Sequence, residues 1–192
     1  MSAPTQLHYS HLLRVLRYLH GTISRRLFFP RSSSLQLQAY SDATWASDSS
    51  DRRSLSAYCV FLGGSLIAWK TKKQVAVSRS SAEAELRALA LVTAEVTWLR
   101  WLLEEFGVSV SGPTPLLSDS TGAISIARDP VKHELTKHIG VDASYTRAHV
   151  QDDVITLQCV PSELQLADFF TTTQTRVQHR FYLSKLSVVD PP

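Results

Sequence analysis

Asp42, Glu85, Asp119 and Asp168 are the residues of this chain whose types and settings suggest chemistry. Asp42 closes the alternating run LQLQAYSDA, Glu85 lies within RSSAEAELRAL, Asp119 ends PLLSD and Asp168 follows SELQLA. Each sits at an element boundary beside apolar residues, not in a run of charges. A single acid so placed is ordinarily a turn former or a helix cap. Four carboxylates at one end of a sheet cannot all stay ionised without cations. Hard divalent ions with oxygen ligands solve that problem, Mg2+ being the usual choice and Mn2+ a substitute. Two Mg2+ roughly 4 Å apart activate a water and stabilise the leaving oxygen of a phosphodiester. The acids therefore point to metal-dependent phosphodiester hydrolysis.

Glu83 and Glu85 are only two positions apart, so one helix cannot aim both at one site. With Glu85 as the zero of a helical wheel, Leu89, Val92, Val96, Leu99 and Leu103 all fall within about 40°. Glu85 thus heads the apolar stripe that faces a sheet, where an ionised carboxylate is expensive unless paired. Glu83 falls on the other side, near Arg87, and follows Ser80 by three residues, the spacing of a capping box. It has a structural job, and Glu85 has none.

The elements that must position these acids can be read in order. Leu12, Leu13, Leu16 and Leu19 recur at helical spacing before Gly21, and FFPRSSS reads as a linker. Residues 35–43 alternate as a strand, with Leu35, Leu37 and Ala39 on one face and Tyr40 and Asp42 on the other. Residues 55–70 are two strands joined by Gly63-Gly64, and TKKQ breaks the pattern. A long helix covers 81–106, a short buried strand ends at Asp119, and helices cover 120–128 and 134–149. A strand spans 153–160, SELQLADFF starts a helix, and a last helix spans 175–186. The expected fold is a mixed α/β domain on a five-stranded sheet flanked by helices, with a helical lead-in. Its expected divisions are 1–34 for the lead-in, 35–174 for the domain and 175–192 for a C-terminal helix and tail.

Composition narrows the setting. An apolar fraction of 44% supports a sizeable core, while a net charge of +3 permits an acidic partner without demanding one. Cys59 and Cys159 lie far apart in alternating apolar runs, which argues against a disulfide framework. No apolar run nears the roughly 20 residues of a membrane span, and the first residues lack a secretory core. An intracellular location, cytoplasmic or nuclear, is expected.

Candidate nucleic-acid contacts are Lys70, Lys72, Lys73, Arg79 and Ser120. The lysines follow Trp69 in WKTKKQ, which reads equally as a phosphate grip or a solvated loop. Arg79 lies in SRSS at a helix N-terminus, where backbone amides favour phosphate, although capping alone explains the serines. His133 and His138 lack the further ligands that a zinc site needs. Trp98 and Trp101 read as packing residues.

Together, YSDATWASD, the segment from RRSLSAYCVFLGG through SSAEAELRALA, LLSDSTGAISIARDPVKHELTKHI and LQLADFFT resemble the ribonuclease H domain of Ty1/copia-type retrotransposon polyproteins. LHYSHLLRVLRYLHGT resembles the segment joining the reverse transcriptase to it. The resemblance implies an RNase H-like fold and hydrolysis of the RNA strand of an RNA–DNA hybrid. It places Asp42, Glu85 (in AEL), Asp119 and Asp168 as the four catalytic and metal-binding acids. The implied partners are the hybrid and an upstream reverse transcriptase segment of the same polyprotein. Thr44, Ser144 and Thr172 depart from the family pattern as drift, and no histidine precedes Asp168 within 150–167, where Gln165 is the nearest polar group. The polymerase's paired aspartates are absent, so the chain is expected to be a fragment or shortened reading frame without polymerase activity. The alternatives are a degenerate remnant that folds and binds nucleic acid without cleaving it, and another RNase H-like nuclease such as an integrase or exonuclease.

Overall fold

A computed structural model describes residues 3–129 and 139–190. In chain order its elements are α1 (Gln6–His20), β1 (Arg26–Leu27), β2 (Leu37–Thr44), β3 (Leu55–Leu62), β4 (Ser65–Lys73), α2 (Ser81–Glu105), β5 (Thr114–Ser118), α3 (Thr121–Arg128), α4 (Gly140–Gln151) and β6 (Ile155–Cys159). Two 3-10 turns, Ser162–Leu164 and Leu166–Phe170, then lead to α5 (Arg176–Lys185) and β7 (Val188–Val189). The main sheet has five strands in the order β4-β3-β2-β5-β6. The first three run antiparallel, and β5 and β6 join parallel to β2.

Alternation along β2 divides the interior. Leu37 and Ala39 face α2 in a core with Val60, Leu86, Leu89, Val92, Val96, Leu116 and Leu157. Tyr40 faces the other way, toward a second cluster of Cys59, Phe61, Leu66, Leu166, Tyr182 and Leu186. Helix α2 therefore covers one face of the sheet, and the 3-10 turns with α5 cover part of the other. Asp42, two residues beyond Tyr40, shares that second face.

Several elements differ from the sequence reading. Strand β2 starts at Leu37, leaving Leu35 outside and exposed. The hairpin does not stop at Lys70 but runs through TKK to Lys73, paired with Leu55. SELQLADFF is not an α-helix. Gln165 stands between the two 3-10 turns in an extended conformation and its side chain takes the Ala167 amide, so the helix cannot continue. Helix α4 starts at Gly140, and the earlier part of the expected 134–149 helix, with His133 and His138, lies outside the described residues. Trp98 and Trp101 are not packing residues: both are more than half exposed. On the wheel they fall opposite the stripe headed by Glu85, which the sheet has claimed. Helix α1 is amphipathic as its spacing predicts, yet it buries no residue.

A second small sheet was not legible from the sequence. Strand β1 pairs antiparallel with β7, Arg26 against Val189 and Leu27 against Val188. Arg25 also pairs with Asp190 at 3.0 Å. The stretch after α1 is thereby tied to the C-terminal end.

The β3–β4 turn requires glycine at one position only. Gly63 has φ +59°, and a Cβ there would lie 2.1 Å from Ser33 Oγ and 2.3 Å from the Ser34 carbonyl oxygen. A Cβ on Gly64 would meet nothing within 4 Å. Gly63→Ala should therefore lower unfolding free energy by about 2 kcal/mol or more, from backbone strain and the clash. Gly64→Ala should change it by less than about 1 kcal/mol, as urea denaturation of both variants will measure.

Candidate active site

Three of the four acids meet. One carboxylate oxygen each from Asp42, Glu85 and Asp119 lies within 4.8 Å of the others. Strand register explains two of them. The parallel pairing of β2 with β5 sets Tyr40 beside Leu117, and two residues further on Asp119 comes level with Asp42. Glu85 arrives from α2, because small residues let the first turn of that helix approach β2 closely. Ala43 packs on Ala84 and Ala88, and the Ala43 amide donates to Glu85 Oε1 at 3.0 Å.

The foot of α2 is fixed by a residue that the sequence reading passed over. Gln74 is buried, and its Nε2 donates to Ser56 Oγ at 2.8 Å and to the Ala84 carbonyl at 2.9 Å. Its Oε1 accepts from Ser78 Oγ at 2.6 Å. Glu83 turns away from Glu85, as expected. Its amide donates to Ser80 Oγ at 3.2 Å, and its carboxylate pairs with Arg87 at 2.9 Å. The return bond of the expected capping box is shifted by one residue: Glu83 Oε2 accepts from the Arg79 amide at 2.7 Å, not from Ser80.

The meeting of acids is electrostatically unfavourable by itself. Burial, then the charge of Asp42, pushes the Glu85 carboxyl up to about 9. Asp42 is also raised, by burial foremost and then by Asp168 and Asp119, against a lowering bond from Thr171 Oγ1. With the acids ionised, Glu85 Oε2 is buried and accepts no hydrogen bond from the described residues. A proton shared with Asp42 relieves it in part and adds to the upward shift. A divalent cation would do so more completely, and an all-oxygen donor set suits a hard ion. The residues present therefore fit a cation.

Asp168 stands beside this trio. Its field reaches Asp42, but its carboxylate is occupied elsewhere: Oδ1 accepts from Thr172 Oγ1 at 3.1 Å and Oδ2 from the Tyr182 hydroxyl at 3.3 Å. Asp119 Oδ2 accepts from Ser162 Oγ at 2.6 Å. Thr171, Ser162 and Tyr182 thus orient acids, and nothing in the sequence marks them. Gln165, expected as a polar group near the site, is fully buried and donates to the Ser41 carbonyl at 3.0 Å, tying the 3-10 turns to β2. Two departures read as drift also make bonds here. Thr172 holds Asp168, and Thr44 Oγ1 donates to the Thr171 carbonyl at 3.2 Å. Ser144 is exposed on α4.

The candidate nucleic-acid contacts are scattered around the acids. Asp42 pairs across the sheet with Ala57, and Ala57 with Thr71, so those positions share a face. Trp69 and Lys73, two residues either side of Thr71, lie on it as well. Lys70 and Lys72 alternate onto the α2 side, paired with Tyr58 and Ser56. Lys73 forms ion pairs with Asp48 and Asp51. Arg79 is exposed just before α2. Ser120 caps α3, accepting from the Ala123 amide at 3.2 Å.

Strand order and carboxylate placement together define an RNase H-like fold. An N-terminal RNase H domain from Mycobacterium tuberculosis, solved as a fusion with maltose-binding protein, matches with a TM-score of 0.53 at 16% identity, over 77% of this chain and 99% of its own. No protein-family model matches the chain. The retrovirus-related Pol polyproteins from transposons RE2 and RE1 of Arabidopsis thaliana are 40% and 38% identical to it over all 192 residues. That from transposon TNT 1-94 of Nicotiana tabacum is 31% identical over 182 residues. The homologues of the chain are thus copia-type retrovirus-related Pol polyproteins, as the motifs predicted, and the chain spans 13% of the length of these relatives. Among the described residues, no helix is long and apolar enough to cross a membrane.

The upward shift of Glu85 has a definite sign in stability. Its folded value of about 9 lies above the ordinary value of 4.5, so the folded state binds more protons between those limits. Stability is fully present below the lower value and is lost as pH rises toward the upper one. In EDTA, Glu85→Gln should melt about 5 °C above the parent at pH 8 and within about 2 °C of it at pH 4.5. A thermal melt at each pH measures the difference. Adding Mg2+ at pH 8 should raise the melting temperature of the parent but not of the variant.

Proposed function

We propose that this chain is a divalent-cation-dependent ribonuclease H that hydrolyses the RNA strand of an RNA–DNA hybrid. The observation that carries the proposal is the convergence of Asp42, Glu85 and Asp119 within 4.8 Å on an RNase H-like fold. Asp42, Glu85 and Asp119 would hold the cations, with Asp168 completing the site and Mg2+ the ion of choice, two per site. Divalent cations held by such acids supply a nucleophile at neutral pH and stabilise the leaving oxygen of a phosphodiester.

The protein's own groups keep the acids aimed. The Ala43 amide orients Glu85, Thr171 Oγ1 orients Asp42, and Ser162 Oγ orients Asp119. Trp69 and Lys73, on the face of Asp42, would meet the sugar-phosphate backbone of a duplex lying across that face. Lys73 would exchange its partners Asp48 and Asp51 for phosphate. Those are exposed pairs, worth little in water, so the exchange is inexpensive. Lys70 and Lys72, on the opposite face of this outermost strand, would meet phosphate around the sheet edge, and Arg79 and Ser120 complete the proposed contact set. Recognition of this kind reads backbone shape and 2′-hydroxyls and is indifferent to base sequence. Residues 35–174 are the proposed domain, followed by a C-terminal helix and tail at 175–192. Residues 1–34 are the proposed end of a reverse transcriptase segment, whose upstream part is a partner within the polyprotein.

Incubating the purified chain and Mg2+ with a labelled RNA–DNA hybrid, beside single-stranded RNA and duplex DNA, tests the proposal. Cleavage should be confined to the hybrid, vanish in EDTA and be abolished by Asp42→Asn. Binding without cleavage would identify a degenerate remnant instead, and cleavage of duplex DNA another kind of nuclease.

A further inference from the structure

We infer that Tyr182 is a positioning residue for the fourth carboxylate, its buried hydroxyl fixing where Asp168 points. The inference rests on the reading of the acids as a cation site. Asp168 is not among the three acids that converge, yet it stands beside them: Thr171 Oγ1 contacts both Asp42 Oδ2 and the Asp168 carbonyl oxygen. What decides whether it can reach a shared cation is therefore its orientation.

That orientation is set by two hydroxyls. Thr172, four residues along the chain, donates to Oδ1, and Tyr182 donates to Oδ2. The two tethers differ in stiffness. Thr172 is exposed on a turn. The Tyr182 ring is 4% exposed and sits in the second core cluster with Cys59, Phe61, Leu166 and Leu186. It also contacts the rings of Phe169 and Phe181, at 5.9 and 5.6 Å between centroids. A ring so enclosed has one place to put its hydroxyl, and the atom waiting there is Asp168 Oδ2.

The helix that carries Tyr182 is braced from both ends of the chain. A capping box of Thr175 and Gln178 starts α5. His179 stacks on Phe169 at 5.3 Å, and its Nε2 lies 3.3 Å from the Tyr18 hydroxyl of α1. The β1–β7 pairing and the Arg25–Asp190 ion pair close the same junction. The terminal segments thus brace the helix that carries this phenol.

Thermal protection of the full chain by Mg2+, measured without nucleic acid, tests the inference. In Tyr182→Phe the Mg2+ concentration giving half-maximal protection should rise about tenfold, the usual effect of removing a group that orients a metal ligand. Thr172→Val should shift it in the same direction by less. In an Asp168→Asn background, Tyr182→Phe should shift it no further, because the hydroxyl acts only through that carboxylate. A Tyr182→Phe chain with the parent's midpoint, one that shifts equally in the Asp168→Asn background, or one that cannot fold would overturn the inference. A parent chain that Mg2+ does not protect would overturn it too. A chain that Mg2+ protects but that leaves hybrid uncut would count against the nuclease reading alone, and the midpoints would still decide the role of Tyr182.

Discussion

A carboxylate buried at the foot of a helix, one oxygen on a strand amide and the other without a hydrogen bond from the described residues, is the constraint around which this molecule is arranged. Glu85 occupies the apolar side of α2 and is aimed at two further acids. No packing argument favours that placement, since a buried acid beside like charges destabilises the fold by itself. The surroundings make it possible. Alanines at 43, 84 and 88 let helix and strand approach, and Gln74 ties the start of the helix to β3. The second face supplies hydroxyls from Thr171, Ser162 and Tyr182 that hold the other acids in place.

Local periodicity made the skeleton of this arrangement readable before any coordinates. A period of two put Asp42 on the face opposite Leu37 and Ala39, and the wheel of α2 separated Glu85 from Glu83. Both readings depend only on residues near in sequence. The same holds for the Gly63-Gly64 hairpin. Where local patterns competed with a side chain that could bond to the backbone, the reading failed, as at Gln165 between the two 3-10 turns.

What could not be read was long-range. Ser162 reaches Asp119 and Thr171 reaches Asp42 across stretches with no regular spacing, and serine and threonine are common everywhere. The β1–β7 ribbon joins two-residue strands from opposite ends of the chain, too short to carry any pattern. Trp98 and Trp101 show the converse error. Large aromatics were read as buried by type, although their position on the wheel already placed them away from the sheet. Thr44 and Thr172, read as drift, both bond into the turn that carries Asp168, Thr44 from the end of β2 and Thr172 from the turn itself. A departure from a family pattern can thus be a local rewiring.

Among the described residues strand β4 has a free side, being the outermost strand of the five and nine residues long. An open edge of that length is a template on which another chain can add a strand, the first step toward aggregation. Its last four residues include three lysines, at 70, 72 and 73. Mutual repulsion between two such edges opposes pairing of one molecule with the next. Replacing the lysines to probe nucleic-acid contacts would therefore also remove a safeguard of solubility.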